Sequence, residues 1–201
     1  MQILLTNDDG IYAPGIAALK QNIQDLGQIT VVAPDVEQSG VGHSITFSQP
    51  LRIRETYLDN EFIGYSVNGS PADCVKLAIC AAMKNRPDVV ISGINMGSNV
   101  GIHILYSGTV AAAVEAAIMG FPSIAISFEI SGQYADIHSA AKVARGVIER
   151  IIAHKPPAGS LLNVNIPSIP PEQIKGIKIT RQFTHDFKET FEKRIDPDKK
   201  A

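Results

Sequence analysis

The chain predicts an α/β fold: a mostly parallel sheet with helices on both faces, an inserted β-hairpin and a charged C-terminal extension. Three observations carry that prediction. Short apolar runs such as Ile3–Leu5, Ile29–Ala33 and Val89–Ile91 recur without polar interruption, the pattern of strands buried on both faces. Helical patterns alternate with them. Loops rich in Gly, Asn, Ser and Asp follow the first three core strands rather than preceding them.

Taken in order, residues 2–6 read as a short buried strand. Pro14 opens a helix with Ile16, Leu19, Ile23 and Leu26 on one face, and Gly27 closes it. Ile29–Ala33 is a second buried strand, stopped by Pro34, and residues 34–44 are a polar, Gly-bearing loop. Ile45, Phe47, Leu51 and Ile53, followed after a charged turn by Phe62, Ile63, Tyr65 and Val67, predict the hairpin over about 45–68. Ser70-Pro71-Ala72-Asp73 is a helix start with Ser as N-cap, Pro in the first position and Asp in the third, and the helix runs to about Met83. Asp88–Ser92 is a third buried strand, followed by a loop from Gly93 to Gly108. An alanine-rich helix over 109–119 ends at Gly120. Ser123–Ser127 is a strand, 135–153 a helix, Leu161–Ile166 a fifth strand, and Ile177–Thr180 a further one. The expected organisation is one domain over 1–182 and a charged arm over 183–201, frayed or exchanged with a neighbour.

Composition narrows the function. A hydrophobic content of 45% over 201 residues builds one sizeable core. A net charge of −2 gives no general attraction to duplex nucleic acid or to an anionic membrane. No apolar run is long enough to span a membrane, and no leader pattern opens the chain, so the expected compartment is the cytoplasm. Cys74 and Cys80 fall on different faces of one predicted helix and are poor disulfide partners, which suits that compartment.

The chemistry concentrates at one sheet edge. In an open parallel sheet, ligands bind beyond the carboxyl ends of the strands. Asn7-Asp8-Asp9-Gly10, Glu37 to Ser44 and Ser92 to Asn99 all follow strands there. Asp8 and Asp9 stand side by side at the end of a buried run, where like charges repel and lose hydration. A divalent cation relieves both costs. Carboxylates, hydroxyls and amides form a hard-oxygen set suited to Mg²⁺ or Mn²⁺ rather than to structural zinc. Each piece has a plainer use: Asp-Asp-Gly as a turn, Ser39-Gly40 as ordinary loop, Asn95 as a left-handed residue. Tyr106-Ser107-Gly108-Thr109 leads into a helix and offers backbone N–H groups and hydroxyls to an anion, or merely caps the helix. His43 and His103 lie in edge loops as candidates to move a proton or touch phosphate. No GxxxxGK[ST] loop is present, which argues against P-loop chemistry.

Five blocks then carry a resemblance. Ile3-Leu4-Leu5-Thr6-Asn7-Asp8-Asp9-Gly10, Ala33-Pro34-Asp35 through Gln38-Ser39-Gly40-Val41-Gly42-His43-Ser44-Ile45-Thr46, Gly69 to Val75, Ser92-Gly93-Ile94-Asn95 and Leu105 to Val110 together resemble the SurE family of metal-dependent nucleotidases. The resemblance implies a Rossmann-like sheet and hydrolysis of phosphate from nucleoside 5′- and 3′-monophosphates, for which a metal-activated water is the expected nucleophile. It implies one divalent cation, Mg²⁺ or Mn²⁺, per subunit, held by Asp8, Asp9, Ser39 and Asn95, with Asp8 and Asp9 catalytic. It places substrate phosphate at Gly40, Asn95, Ser107, Gly108 and Thr109, and implies a homodimer or homotetramer. Departures from the family pattern are Met96, Ser98, Phe183 and Asp198, and Ser70 where Thr is common. The chain ends at Ala201 where family members run on through further strands and a helix used in subunit exchange, so a shortened or altered end is expected.

The alternative from another class is a receiver-like, Mg²⁺-binding phosphoacceptor module. That module needs an acceptor Asp at the end of the third strand and a Lys after the fifth, where this chain has Ser92-Gly93 and Asn165-Ile166-Pro167. A dinucleotide-binding oxidoreductase lacks its GxGxxG motif after the first strand.

Overall fold

A computed structural model describes residues 1–130, 136–183 and 190–194. Among these residues seven strands form one sheet: β1 (Gln2–Thr6), β2 (Gln28–Pro34), β3 (Ile53–Leu58), β4 (Glu61–Val67), β5 (Val89–Met96), β6 (Ser123–Phe128) and β7 (Leu161–Ile166). Their spatial order is β3-β4-β2-β1-β5-β6-β7, parallel throughout except for the antiparallel β3–β4 pair at one edge. The chain moves outward from β1 to β2, then returns to lay β5 on the other side of β1. The crevice between β1 and β5 is therefore the switch point, where a doubly wound sheet leaves room for a ligand.

Among the described residues four α-helices cover the sheet: α1 (Pro14–Ile23), α2 (Pro71–Leu77), α3 (Gly108–Ile118) and α4 (Ile137–Ala153). Alternation along the strands builds two cores. Ile3, Leu5 and Ile91 pack with Ile16, Leu19 and Ile148 under α1 and α4, while Leu4, Val32 and Val90 pack with Val75, Ala112 and Ala116 under α2 and α3. α2 begins as its sequence dictates. The Ser70 hydroxyl accepts from the Asp73 N–H at 3.1 Å and the Asp73 carboxylate accepts from the Ser70 N–H at 3.0 Å, a closed capping box. The helix continues past Leu77 as one wider turn over Ala78–Ala82, so the expected span to about Met83 is kept with a change of pitch. Cys74 is buried and Cys80 exposed, and both are free thiols.

Four expectations are corrected. α1 ends at Ile23, before Leu26 and Gly27, and the antiparallel pair starts at Ile53, so residues 45–52 carry no strand. The third strand does not stop at Ser92: β5 runs on to Met96 across a register shift between Ser92 and Asn95, so Asn95 sits on a strand extension opposite Ser127 rather than in a free loop. Residues 174–180 form no strand. β7 is the last strand of the sheet among the described residues, and Ile179 stands 97% exposed. Most of the expected arm over 183–201 lies outside the described residues; Gln182, at its root, donates from Nε2 to the Gly101 carbonyl at 3.1 Å. Among the described residues, no helix is long and apolar enough to cross a membrane.

Candidate active site

The site is assembled around the end of β1. Asn7, fully buried, donates from Nδ2 to the Gly10 carbonyl at 2.9 Å and folds the chain back on itself. Gly10 takes φ of +97°, which a side chain would resist, so the turn after the two acids needs glycine. Asp8 is 6% exposed and Asp9 half-buried.

The loop after β2 is tied directly to this turn, because the Gln38 N–H donates to the Asp8 carbonyl at 2.8 Å. That bond holds the loop at the turn, and the charge of Glu37 reaches both acids. The Ser39 hydroxyl donates to the Glu37 carboxylate. The extension of β5 is tied in from the other side: the Asp9 carboxylate accepts the Met96 backbone N–H, next to Asn95. Asn95 donates from Nδ2 to the Gly97 carbonyl at 2.7 Å, which fixes the amide and leaves its carbonyl oxygen as an acceptor. Behind it, Asn99 is clamped by β6 and β7. Its N–H donates to Asn165 Oδ1 at 2.8 Å, its carbonyl accepts from Asn163 and Asn165, and its amide donates to the Ser127 hydroxyl at 2.8 Å.

Helix α3 closes the site. The Thr109 hydroxyl donates to Asp8 Oδ1 at 2.5 Å, and the Thr109 backbone N–H also serves that carboxylate. Gly108 leaves no room between helix and acid, since a Cβ there would stand 2.7 Å from Asp8 Cβ. Asp8 therefore occupies part of the α3 N-terminus, where the helix dipole favours negative charge. Thr109, expected to meet phosphate, has its hydroxyl on Asp8. The Ser107 hydroxyl accepts the Val110 N–H at 3.1 Å as the N-cap and keeps its own hydrogen to donate. The Gly108 N–H, in the first helical position, has no partner within the helix. Gly40, with φ of +68° and nothing within 4 Å of a Cβ there, is open.

Electrostatics follow from this packing. Burial raises the Asp8 carboxyl above the ordinary carboxylate range, opposed by the Thr109 hydroxyl, with Glu37 adding to the rise. Burial, then the charges of Asp8 and Glu37, lift Asp9 to about 6. The two acids thus resist carrying two negative charges unaided. Among the described residues no three His, Cys, Asp or Glu side chains gather as a metal group. The available donors are mixed: two carboxylates with a hydroxyl and an amide oxygen, all hard. That set, with two acids whose charge is uncompensated, fits a divalent oxygen-seeking cation.

His43 does not face the acids' chemistry; its Nε2 is bound to Glu115, in the second half of α3, at 2.8 Å. Glu37 and Glu115 are the residues the sequence reading missed. A third acid just past β2 signalled the first. A single charge in an alanine-rich helix signalled the second.

The family model described as survival protein SurE matches residues 3–189. The chain belongs to the SurE family. It is 50% identical over 204 residues to the 5′-nucleotidase SurE of Carboxydothermus hydrogenoformans, covering 98% of this chain and 76% of that protein. It is 49% identical over 209 residues to the 5′-nucleotidase SurE of Natranaerobius thermophilus, covering 100% and 80%. The crystal structure of the SurE protein from Aquifex aeolicus superposes with a TM-score of 0.86 at 44% identity, over 98% of this chain and 79% of that one. SurE membership, with a β5 that ends without an acceptor Asp, sets the receiver-like alternative aside.

Proposed function

We propose that this SurE-family chain is a phosphoric monoester hydrolase that releases phosphate from nucleoside 5′-monophosphates, and also from 3′-monophosphates, with one Mg²⁺ or Mn²⁺ per subunit. Relatives of the same family are named 5′-nucleotidases, and this chain spans about three quarters or more of their length. The observation that carries the reading is the contact between α3 and Asp8: an anion-favouring helix start is built against an acid pair at the switch point of the sheet.

Asp8, Asp9, Ser39 and Asn95 would hold the cation. When bound, it offsets the charge of the phosphate and lowers the pKa of a coordinated water. The chain's own groups do the rest. Ser107 O–H and Gly108 N–H donate to phosphate oxygens and stabilise charge that grows on them during transfer. Gly40 lets the second loop approach without a side chain in the way. Asp8 orients the attacking water and takes its proton. Thr109 holds the Asp8 carboxylate in one orientation for that task. The water oxygen bonds to phosphorus, the ester bond to the nucleoside oxygen breaks, and that oxygen gains a proton from solvent.

The proposal extends to a cytoplasmic homodimer or homotetramer; a monomeric mass by light scattering would remove the second part. The chemistry is tested by phosphate release from 5′-AMP and 3′-AMP with Mn²⁺ or Mg²⁺. Turnover of both esters, abolished by EDTA and by Asp8→Asn or Asp9→Asn, is expected. Full turnover in EDTA, or in either variant, would overturn the metal reading. No release from any nucleoside monophosphate would overturn the substrate class.

A further inference from the structure

α3 is an apolar helix, Gly-Thr-Val-Ala-Ala-Ala-Val-Glu-Ala-Ala-Ile, and Glu115 is its one charged side chain. Glu115 is 6% exposed, buried between α3 and its surroundings. A carboxylate in that position destabilises the fold unless both oxygens are bonded. Both are. Oε1 faces Lys76 Nζ of α2 at 3.2 Å, and Oε2 faces His43 Nε2 at 2.8 Å. Lys76 alone would balance the charge. The second partner comes from the loop after β2, 72 positions away in sequence.

That loop carries Ser39 and Gly40. Gly40 and Gly42 have φ of +68° and +56°, and a Cβ at Gly40 would meet nothing within 4 Å. Upstream, the loop is held by the Gln38 N–H on the Asp8 carbonyl. Downstream, the Gly42 N–H donates to the Tyr106 carbonyl at 3.0 Å, Ser44 accepts from the Ser70 hydroxyl at 2.6 Å, and Thr46 is held by Asp73. His43 is the side-chain anchor nearest to Ser39, and it ends on the helix whose N-terminus holds Asp8.

We infer that Glu115 and His43 are positioning residues that fix the Ser39–Gly40 segment against α3, so that one helix sets both the acid and the loop opposite it. Their effect passes through the loop backbone and not through contact with substrate. In functional terms the inference rests on the phosphatase reading above, but its structural half does not. Supporting groups of this kind typically change ligand affinity about 10–100-fold when removed.

The test compares wild type, His43→Ala, His43→Gln and Lys76→Gln by hydrogen exchange of the amides of residues 36–44, by Mn²⁺ titration calorimetry and by AMP kinetics. In His43→Ala the loop amides exchange at least about tenfold faster while those of α3 do not. The Mn²⁺ Kd and the KM for AMP rise about tenfold, and kcat falls less than about threefold. His43→Gln, whose amide can still donate to Glu115, recovers most of the loss. Lys76→Gln leaves the loop amides unchanged. Unaltered loop exchange in His43→Ala overturns the inference whether or not the protein hydrolyses AMP. So does an equal effect in Lys76→Gln, which would make Glu115 a general packing residue. Faster loop exchange with no nucleotidase activity even in wild type would keep the anchor and discard the functional reading.

Discussion

Asp8 meets two opposing demands: it is buried deeply enough to resist ionisation, yet it receives both donors of Thr109, which favour its charged form. The second is a charge-assisted bond, worth about 1.5–3 kcal/mol. Thr109→Val keeps the shape and removes the hydroxyl. It is predicted to cut kcat/KM for AMP about 10- to 100-fold by that energy, with the fold intact by circular dichroism. Asp9 has no comparable hydroxyl, and its folded pKa is about 6 against an ordinary value of 3.8. The folded protein therefore binds that proton more tightly than the unfolded chain. The resulting penalty is absent below about pH 4, grows between the two values, and is complete above about pH 6. In metal-free protein, Asp9→Asn is predicted to raise Tm at pH 8 and leave it unchanged at pH 4. A lower Tm for Asp9→Asn at pH 8 would show that the charge is already compensated. The burial and mutual repulsion of the two acids were legible in the sequence, whereas the partner that holds Asp8 was not. Thr109 stands 101 positions from Asp8, and local spacing could not show that its hydroxyl serves the acid rather than a phosphate.

At the scale of elements, α3 does most to order the site. Its N-cap Ser107 uses one lone pair on Val110 and retains a hydrogen for a ligand. Ser107→Ala is predicted to cost about 1 kcal/mol of stability through the lost cap. It should raise the barrier to AMP hydrolysis by a further 1–3 kcal/mol, about the value of one hydrogen bond to a charged group. Denaturant melts and kcat separate the two effects, and a stability loss with unchanged kcat would confine Ser107 to capping. The helices were readable because caps and periodicity are local: Ser70, Pro71 and Asp73 announce α2 by themselves. Strand ends were less readable. Gly93 looks like a stop, but β5 passes through it to put Asn95 beside β6. Ile177–Thr180 alternates like a strand, but no sheet edge accepts it, because pairing is settled by tertiary contacts that spacing does not record.

The whole molecule places its chemistry by topology. Continuous apolar strands made the parallel sheet legible, and the sheet's reversal at β1 and β5 then brings the Asp8–Asp9 turn and the Asn95 extension to one crevice. The loop bearing Ser39 joins them through the Asp8 carbonyl, and α3 lies across the group with Thr109 on Asp8 and Glu115 on His43. The His43–Glu115 pair was out of reach of the sequence because its partners, 72 positions apart, meet only once the loop after β2 has packed on α3. The most direct test is diffraction from crystals soaked in Mn²⁺ and phosphate, recorded at the manganese absorption edge. One anomalous peak within coordination distance of Asp8, Asp9, Ser39 and Asn95 oxygens, with phosphate against Ser107 and Gly108, is the predicted result. Phosphate bound elsewhere, or manganese absent from between those oxygens at saturating concentration, would contradict it.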